Sequence, residues 1–324
     1  MYPYQDKGLA GGELYIHHTI KALLKLGMEI DVYNLVTEWK ECTIGRPDEW
    51  EYDGVKVNMI NSLHNMSLDY DGYITHLAAA EPAMAWCITN KKQCYFIAHN
   101  THDYPIVRFT ANTDKPIKVI YNSEFVKGRC NYPNPSFVWT PPINIDHWSL
   151  KRDPYYNKYI TLVNPLKDKG AEQFKRLAQL VPHRQFLVVK GGYYPDLQIT
   201  EGYPKNVTLI EPQTDMRGVY GCTRILIYMS FHESYGMCGQ EAQAAGIPVL
   251  AHANPQTLGL VENLGDAGMY VWDNVDNMLG YIEVINLLDD PYEYRKWSIR
   301  SRKNTLDKDT DLRAPALKDF FELF

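Results

Sequence analysis

Short apolar runs alternate with amphipathic stretches along the first half of the chain. The stretch GGELYIHHTIKALLKLG, residues 11–27, is predicted to be a helix, because its leucines and isoleucines recur at helical spacing and Gly27 can end it. Strands are predicted at residues 30–33, 55–60, 73–77, 94–98 and 119–122. Strands that alternate with helices in this way are typical of a parallel sheet.

The second half repeats this alternation with an unrelated sequence. Strands are predicted at residues 159–163, 186–189, 207–210, 225–229 and 249–251, and helices at 171–180, 239–245, 277–288 and 292–303. The acidic and basic stretch LDKDTDLRAP, residues 306–315, is interpreted as a hinge, and residues 316–324 as one more short helix.

A proline-rich stretch separates the two halves. Residues 131–148, NYPNPSFVWTPPINIDHW, contain four prolines and interrupt the alternation, which is typical of a domain boundary. We therefore predict an α/β protein with two Rossmann-like domains, residues 1–145 and 146–305, facing each other across a cleft. A tail helix within residues 306–324 is expected to pack back on the first domain. Because open α/β sheets bind ligands beyond the carboxyl ends of their strands, both domains would offer loops to the cleft.

Composition and charge narrow the class of protein. The 324 residues are enough for two hydrophobic cores, and a formal charge of −6 argues against stable nucleic-acid binding through phosphates. The six cysteines are scattered and include no C-x-x-C pair, which favours a reducing cytoplasm. The chain start lacks the basic and apolar features of a signal peptide, and no apolar run has the length of a membrane span. Peripheral contact with a membrane surface stays open.

The most informative stretch is MSFHESYGMCGQEAQAAGIPVLA, residues 229–251. A predicted strand runs into a turn with Glu233 and Gly236, and the helix that follows carries Glu241, with seven residues between the two carboxylates. The amides at the helix start, around Met237 and Cys238, would form an anion site. The segment therefore offers a cradle for a diphosphate with a hydroxyl acceptor on each side.

This segment resembles the Glu-x7-Glu signature of retaining GT-B glycosyltransferases of family 4, the glycosyl transferases group 1. The resemblance extends to the glycine-containing start GGELYIHHTIKALLKLGMEIDVY, to YFIAHNTHDY, VIYNSEFVKG, NPLKDKGAEQF and ENLGDAGMYV, and it covers roughly the first 275 residues. It implies a GT-B fold with an acceptor-side first domain and a second domain that binds a nucleoside-diphosphate sugar. It also implies that no metal or other cofactor is needed.

The resemblance implies a role for each matching residue. The catalytic candidates are His99, which would contact the donor sugar near the reacting carbon, Glu233, which would accept hydrogen bonds from the sugar hydroxyls, and Lys169, which would neutralise the diphosphate. Glu241 would accept hydrogen bonds from the ribose. The other donor-binding candidates are Gly11 and Gly12, which would let the backbone approach the diphosphate, Asn164, Met237, Cys238, and Glu262 in the closing loop. His99 competes with His76 and His102, both near strand ends.

Two positions depart from the family pattern. The family usually has an arginine five residues before the position of Lys169, and here that residue is Asn164, which removes a bidentate phosphate partner. Lys167 or Arg224 is a candidate to compensate. The family also begins with an apolar strand, and here only residues 1–4 precede Gln5, so either this strand is very short or the natural chain begins upstream. Tyr2 and Tyr4 are expected to be at least partly buried.

The predicted reaction transfers a sugar to an acceptor hydroxyl with retention of configuration and without a metal. The D-x-D strings at residues 69–71, 307–309 and 309–311 are interpreted as solvated charges. Two alternatives stay open: a nucleotide-sugar epimerase using His99, His102 and Asp103, or a non-catalytic nucleotide-sugar binder. The acceptor is also open among glycans, lipids, small molecules, proteins and hydroxymethylated DNA bases, with the polar insertion at residues 37–54 on its side. Nothing separates UDP, GDP and ADP donors.

Overall fold

The computed structural model describes residues 11–35, 47–101, 117–192, 194–272 and 274–322. The chain divides into two compact units. The first comprises essentially Gly12–Pro142 together with Asp311–Phe324, and the second Ile143–Thr310. Within the described residues no helix is both long and apolar enough to cross a membrane.

The first unit holds two sheets. Its elements along the chain are α1 (Gly11–Lys25), β1 (Val32–Leu35), β2 (Glu49–Tyr52), β3 (Val55–Ile60), β4 (Tyr73–His76), α2 (Ala80–Thr89), β5 (Cys94–Ala98), β6 (Lys118–Tyr121), α3 (Glu124–Cys130) and β7 (Ser136–Val138). One sheet has the order β1-β3-β2, in which β2 is antiparallel to β3, and the other is the parallel sheet β4-β5-β6-β7. Strand β5 is buried along its whole length, as expected for a central parallel strand.

Helix α1 packs into the core of the first unit through one face. Tyr15, Ile20 and Leu23 are buried on this face. The Tyr15 hydroxyl donates to the carbonyl of Trp139 at 2.6 Å, and the Trp139 indole donates to the Thr19 hydroxyl at 3.0 Å. The buried polar atoms of this contact are therefore paired, and α1 is held against the segment that follows β7.

The second unit holds one fully parallel sheet. Its elements are β8 (Tyr159–Val163), α4 (Ala171–Leu180), β9 (Gln185–Val189), β10 (Val207–Ile210), α5 (Arg217–Tyr220), β11 (Thr223–Tyr228), α6 (Met237–Ala244), β12 (Val249–Ala253), α7 (Leu258–Leu264), β13 (Gly268–Trp272), α8 (Met278–Leu287) and α9 (Pro291–Leu306). The strand order is β10-β9-β8-β11-β12-β13. The order reverses beside β8, the topological switch point at which such sheets bind ligands.

The last helix, α10 (Thr310–Glu322), corrects the prediction of a hinge followed by a short helix. Its Ala314, Leu317 and Phe320 are buried in the core of the first unit, so burial holds the helix together although Pro315 removes one internal hydrogen bond. The tail aspartates are not simply solvated. Asp309 accepts from the amide of Ile145 at 3.2 Å, and Asp311 forms an ion pair with Lys25 at 2.5 Å.

Several strand predictions need correction. Strand β1 lies two residues later than predicted, β2 lies within the predicted polar insertion, β7 lies inside the proline-rich stretch, and β13 is not among the predicted strands. Strand β2 is missed because only Trp50 of its four residues is buried, as in an edge strand with one solvated face. Tyr2 and Tyr4, whose burial is expected, lie outside the described residues, as do residues 37–46 of the predicted polar insertion.

Candidate functional site

Lys169 lies in a tight turn after β8. It is the last residue of the 3-10 turn Lys167–Lys169, and Gly170 then has φ +79° before α4 begins. A Cβ at Gly170 would overlap the carbonyl oxygen of Met229, so only glycine fits this approach. The amide of Phe231 donates to the carbonyl of Asp168 at 2.9 Å. The turn that carries Lys169 is thus joined to the loop after the neighbouring strand, β11.

The structure brings Lys169 and Glu233 into direct contact. The Lys169 Nζ atom is 2.8 Å from Glu233 Oε2, and both side chains are largely buried, at 19% and 15% exposure. The Glu233 amide donates to the carbonyl of Gln256 at 3.0 Å, which fixes the backbone of this loop. Two catalytic candidates that are 64 residues apart in sequence therefore form one ion pair at the carboxyl ends of β8 and β11.

Helix α6 begins directly after the Glu233 loop. Gly236 precedes it with φ +79°, and a Cβ there would lie 2.5 Å from Leu260 Cδ1. The Asn263 side chain donates to the carbonyls of Tyr235 and Gly236, each at 3.0 Å. Met237 and Cys238 are the first two helical residues, where amide groups have no acceptor within the helix. The predicted anion site at these two amides stays a prediction, and the helix start is compatible with it.

Glu241 lies within α6 and is buried, with 8% of its surface exposed. Burial raises the pKa of its carboxyl to about 7, and the hydrogen bond from Tyr220 opposes that rise. The Tyr220 hydroxyl donates to Glu241 Oε2 at 2.7 Å and lies 3.2 Å from the carbonyl of Cys238. Burial also raises the pKa of Tyr220 well above its ordinary value, so this hydroxyl stays a donor. The carboxylate is thus held in one position by a neutral partner.

Asn164 follows β8 with a left-handed backbone. Its φ is +62°, a conformation in which asparagine is enriched among non-glycine residues, and its amide donates to the carbonyl of Val189 at 2.8 Å. Of the two proposed substitutes for the absent arginine, Lys167 is exposed beside Lys169. Arg224 is excluded, because it lies near the amino end of β11 and bonds to the carbonyls of Tyr155 and Leu288.

Glu262 differs from the sequence prediction in its local structure. It lies inside helix α7, Leu258–Leu264, and not in a loop, and its side chain is exposed. Among the residues that the structure describes, no three His, Cys, Asp or Glu side chains are grouped so as to hold a metal ion.

The remaining candidates belong to the first unit or its border. Gly11 and Gly12 are the first residues of α1, so the expected glycine loop is already helical at this point. A Cβ at Gly12 would lie 3.2 Å from Leu77 Cδ1, so the helix start approaches Leu77 closely. His99 follows β5 directly and is 9% exposed. His102 and Asp103 lie outside the described residues.

His99 is surrounded by groups that orient it. Its Nε2 atom is 3.1 Å from His76 Nδ1, and its ring meets the ring of Tyr15 edge to face at 4.8 Å between centroids. The Asn122 side chain donates to the His99 carbonyl at 2.8 Å. Burial lowers the pKa of the His99 imidazole to about 4, so the ring is neutral at physiological pH.

Sequence reasoning missed two of the residues that shape these sites. Tyr220 lies 21 residues before its partner Glu241, in a stretch with no recognisable motif. Asn263 is part of ENLGDAGMYV, but nothing in that stretch indicates that its amide holds the turn before α6. Both act through contacts between distant parts of the chain, and spacing in one sequence carries no signal for them.

The fold and the family comparison agree on the class of protein that this chain resembles. Residues 158–290 match the family model described as Glycosyl transferases group 1. The predicted GT-B fold and the predicted resemblance to this family are confirmed.

Individual relatives support the same class. D-inositol 3-phosphate glycosyltransferase of Mycobacteroides abscessus is 31% identical over 117 residues, which are 33% of this chain and 26% of that protein. Sucrose-phosphate synthase from Thermosynechococcus elongatus has a TM-score of 0.77 at 15% identity, covering 99% of this chain and 96% of that chain. The Anabaena protein HepE, solved in complex with UDP-glucose, has a TM-score of 0.75 at 12% identity, covering 99% and 98%.

These similarities differ in what they establish. The match to the curated relative spans about a quarter of its length, 26%, and therefore does not carry over that protein's substrates. The two solved structures match nearly the whole chain, but at 15% and 12% identity they establish the fold alone.

Proposed function

We propose that this protein transfers a sugar from a nucleoside-diphosphate sugar to an acceptor hydroxyl. The observation that carries the proposal is the contact between Lys169 and Glu233, 2.8 Å apart, beside the start of α6. A cation and a helix start suit a diphosphate, and the adjoining carboxylate suits the hydroxyls of a sugar. The match of residues 158–290 to the Glycosyl transferases group 1 family model supports the same assignment.

The donor is proposed to lie along the loops after β8 and β11. Its diphosphate would accept hydrogen bonds from the Met237 and Cys238 amides and from Lys169. Glu241 would accept hydrogen bonds from the ribose hydroxyls, since the bond from Tyr220 leaves further acceptor capacity on its carboxylate. Gly11, Gly12, Asn164 and Glu262 are proposed to complete the donor site.

The chemical difficulty is the charge that develops as the diphosphate leaves. Positive groups that are already in position lower this barrier, because they need no rearrangement during the reaction. Lys169 and the α6 amides would supply this stabilisation, and no metal ion is invoked. An anion that arrives at Lys169 would compete with Glu233 for its charge, and would release the carboxylate to accept sugar hydroxyls.

Retention of configuration is proposed without a covalent intermediate on the protein. Glu233 is committed to Lys169 and to sugar hydroxyls, so we do not assign it as a nucleophile. The acceptor hydroxyl would attack from the face that the diphosphate leaves. His99, neutral because burial lowers its pKa to about 4, would contact the donor sugar as a hydrogen-bond partner and not as a charge.

The relatives indicate which nucleotide base of the donor and which acceptor to test first. HepE has this fold and was solved with UDP-glucose, so UDP-sugars are the first donors to test. An inositol phosphate is a reasonable first acceptor, because the partial relative from Mycobacteroides abscessus is named for one. Glycans, lipids and hydroxymethylated DNA bases remain in the acceptor screen.

The test is a thermal stability screen of the full chain with UDP, GDP, ADP, CMP and dTDP, each with and without Mg²⁺. Stabilisation by one nucleoside diphosphate, equal in both conditions and reduced in Glu241→Ala, is the expected result. The exposed Glu262, on neighbouring helix α7, gives the comparison variant Glu262→Ala, for which a smaller loss is expected. If none of the five nucleotides stabilises the protein, the proposed donor site is wrong.

Turnover then separates the alternatives. Release of nucleoside diphosphate from a sugar nucleotide supports transfer or donor hydrolysis, and a sugar-acceptor product establishes transfer. Conversion of one sugar nucleotide into its epimer would indicate an epimerase. Tight binding with neither reaction would indicate a binder.

A further inference from the structure

Two histidines meet at the carboxyl ends of neighbouring parallel strands in the first unit. His76 is the last residue of β4 and pairs in register with Ile97 of β5, while His99 follows β5 directly. The His76 Nδ1 atom lies 3.1 Å from His99 Nε2, and the ring centroids are 5.2 Å apart at an interplanar angle of 63°. The strand pairing therefore sets this contact, since both residues are anchored at strand ends.

The contact restricts the protonation of both rings. Between two ring nitrogens at hydrogen-bond distance, one must carry the proton and the other must accept it. If both facing nitrogens carried a proton, two N–H groups would point at each other. A further proton on the pair would also charge a buried ring. Burial lowers the pKa of both imidazoles, for His99 to about 4, and a charge on His99 lowers that of His76 further. Near neutral pH the pair is thus neutral and shares one proton.

One shared proton determines the state of the other nitrogen of His99. When His76 Nδ1 donates, His99 Nδ1 carries the remaining proton and is a donor. When His99 Nε2 donates, His99 Nδ1 is an acceptor. The two rings can therefore change tautomer only together, and such a change must suit the surroundings of both outer nitrogens, His76 Nε2 and His99 Nδ1, at once, whereas a histidine without such a partner changes alone. A ring that must offer one fixed hydrogen-bond role to a ligand needs a partner of this kind.

We propose that His76 is a positioning residue that fixes the orientation of the His99 ring and couples its tautomer to that of His76, so that one joint tautomer dominates and His99 Nδ1 presents one hydrogen-bonding role. The part played by His99 at a donor sugar rests on the proposed function, whereas the fixed tautomer does not. Tyr15 supports the orientation, because its ring edge packs against His99 at 4.8 Å. His76 itself is not proposed to touch the substrate.

The experiment is long-range ¹H–¹⁵N correlation spectroscopy on the full chain labelled with ¹⁵N-histidine, at one fixed pH near neutrality. The ten histidines are few enough to assign, and the variant His99→Gln identifies the His99 signals. In the wild type, the expected His99 pattern is that of one pure tautomer. In His76→Phe, which keeps a ring but has no nitrogen, the expected pattern is an average of both tautomers.

Two further variants keep the test decisive. His76→Gln supplies a polar partner and is expected to retain more of the single-tautomer pattern, which separates loss of the partner from loss of folding. His64→Gln changes an exposed histidine and is expected to leave His99 unchanged. An averaged tautomer in the wild type, or an unchanged pure tautomer in both His76 variants, would overturn the proposal.

Steady-state kinetics test the role of His76 independently of the spectroscopy. With a working donor, His76→Phe is expected to lower kcat by about tenfold or more while the donor KM changes little, because the group that contacts the sugar loses its fixed role. A purely structural defect would lower the melting temperature and leave kcat per folded molecule intact. If the tautomer result holds and no donor binds, the positioning role stands and the proposed function fails.

Discussion

Glu241 is a buried carboxyl group, and its contribution to the free energy of unfolding therefore depends on pH. Burial raises its pKa from the ordinary value of 4.5 to about 7, so between these values the folded protein holds a proton that the unfolded chain has lost. Stability must therefore fall as pH rises through this window. Glu241→Gln, which is neutral at every pH, is expected to melt above the wild type by a margin that grows from acidic to slightly alkaline pH.

Melting curves of both proteins across that pH window measure this margin. Glu262→Gln is the matched control, because the Glu262 side chain is exposed on α7. A constant difference between Glu241→Gln and the wild type at all pH values would contradict a raised pKa for Glu241.

Gly170 supports Lys169 through a backbone that other residues cannot adopt without strain. In Gly170→Ala the new Cβ meets the carbonyl of Met229 at φ +79°, and a loss of at least about 1–2 kcal/mol of folding free energy is expected. Gly218→Ala is the control, since a Cβ there has no atom within 4 Å. Urea unfolding of the two variants should show a large loss for the first and little change for the second. Equal unfolding free energies for the two variants would contradict the close approach of Gly170 to the Met229 carbonyl.

The sequence predicted which residues to examine but not all of their contacts. Glu233, Lys169 and Glu241 stand in motifs that resemble a family, so their positions could be named in advance. The ion pair between Lys169 and Glu233 joins two loops that are close only because β8 and β11 are neighbours in the sheet. The partner Tyr220 has no such motif, and only the folded arrangement of α5 and α6 identifies it.

Among the elements, short strands rich in apolar residues and separated by polar stretches are predicted best. Strands β3, β5, β8 and β10 have the predicted ranges, although β10 lies at the sheet edge, whereas the other edge strand, β13, is not predicted. The short β7 lies among prolines, which are strong signals for loops, and it pairs only with β6 at the sheet edge. Helix α10 starts earlier than predicted, because the acidic and basic stretch at residues 306–315 is interpreted as a hinge, whereas packing of the apolar face makes it helical from Thr310.

The contribution of α10 to the first unit can be measured on the helix itself. Leu317 is fully buried and Leu312 is 71% exposed on the same element. Leu317→Ala is expected to cost about 2–5 kcal/mol of unfolding free energy, as other buried leucines do, and Leu312→Ala less than about 0.5 kcal/mol. Denaturant unfolding of the full chain reports both values. A loss below about 0.5 kcal/mol in both variants would mean that α10 is not part of this core.

For the whole molecule, the candidate residues fall into two groups that belong to different units. Lys169, Glu233 and Glu241 belong to the second unit, whereas His99 and its partner His76 belong to the first. Lys169 and Glu241 are proposed to bind the nucleoside diphosphate, and Glu233 and His99 to contact the sugar, so nucleotide binding and turnover should separate under mutation. Substitution of Lys169 or Glu241 should weaken nucleotide binding, whereas substitution of Glu233 or His99 should lower turnover while nucleotide binding is kept.

Three variants test this separation by calorimetric titration with the nucleoside diphosphate and by turnover of its sugar derivative. Lys169→Met is expected to weaken nucleoside diphosphate binding by about tenfold or more, because a charged hydrogen bond is lost, while the free nucleoside binds as before. Glu233→Gln should bind the nucleoside diphosphate at least as tightly as the wild type, since the carboxylate no longer competes for Lys169, and should still lose turnover. His99→Gln should keep the affinity and lose turnover. Loss of nucleotide binding in His99→Gln, or weakened binding in Glu233→Gln, would contradict this division of roles, because each would show that the nucleotide depends on a group assigned to the sugar.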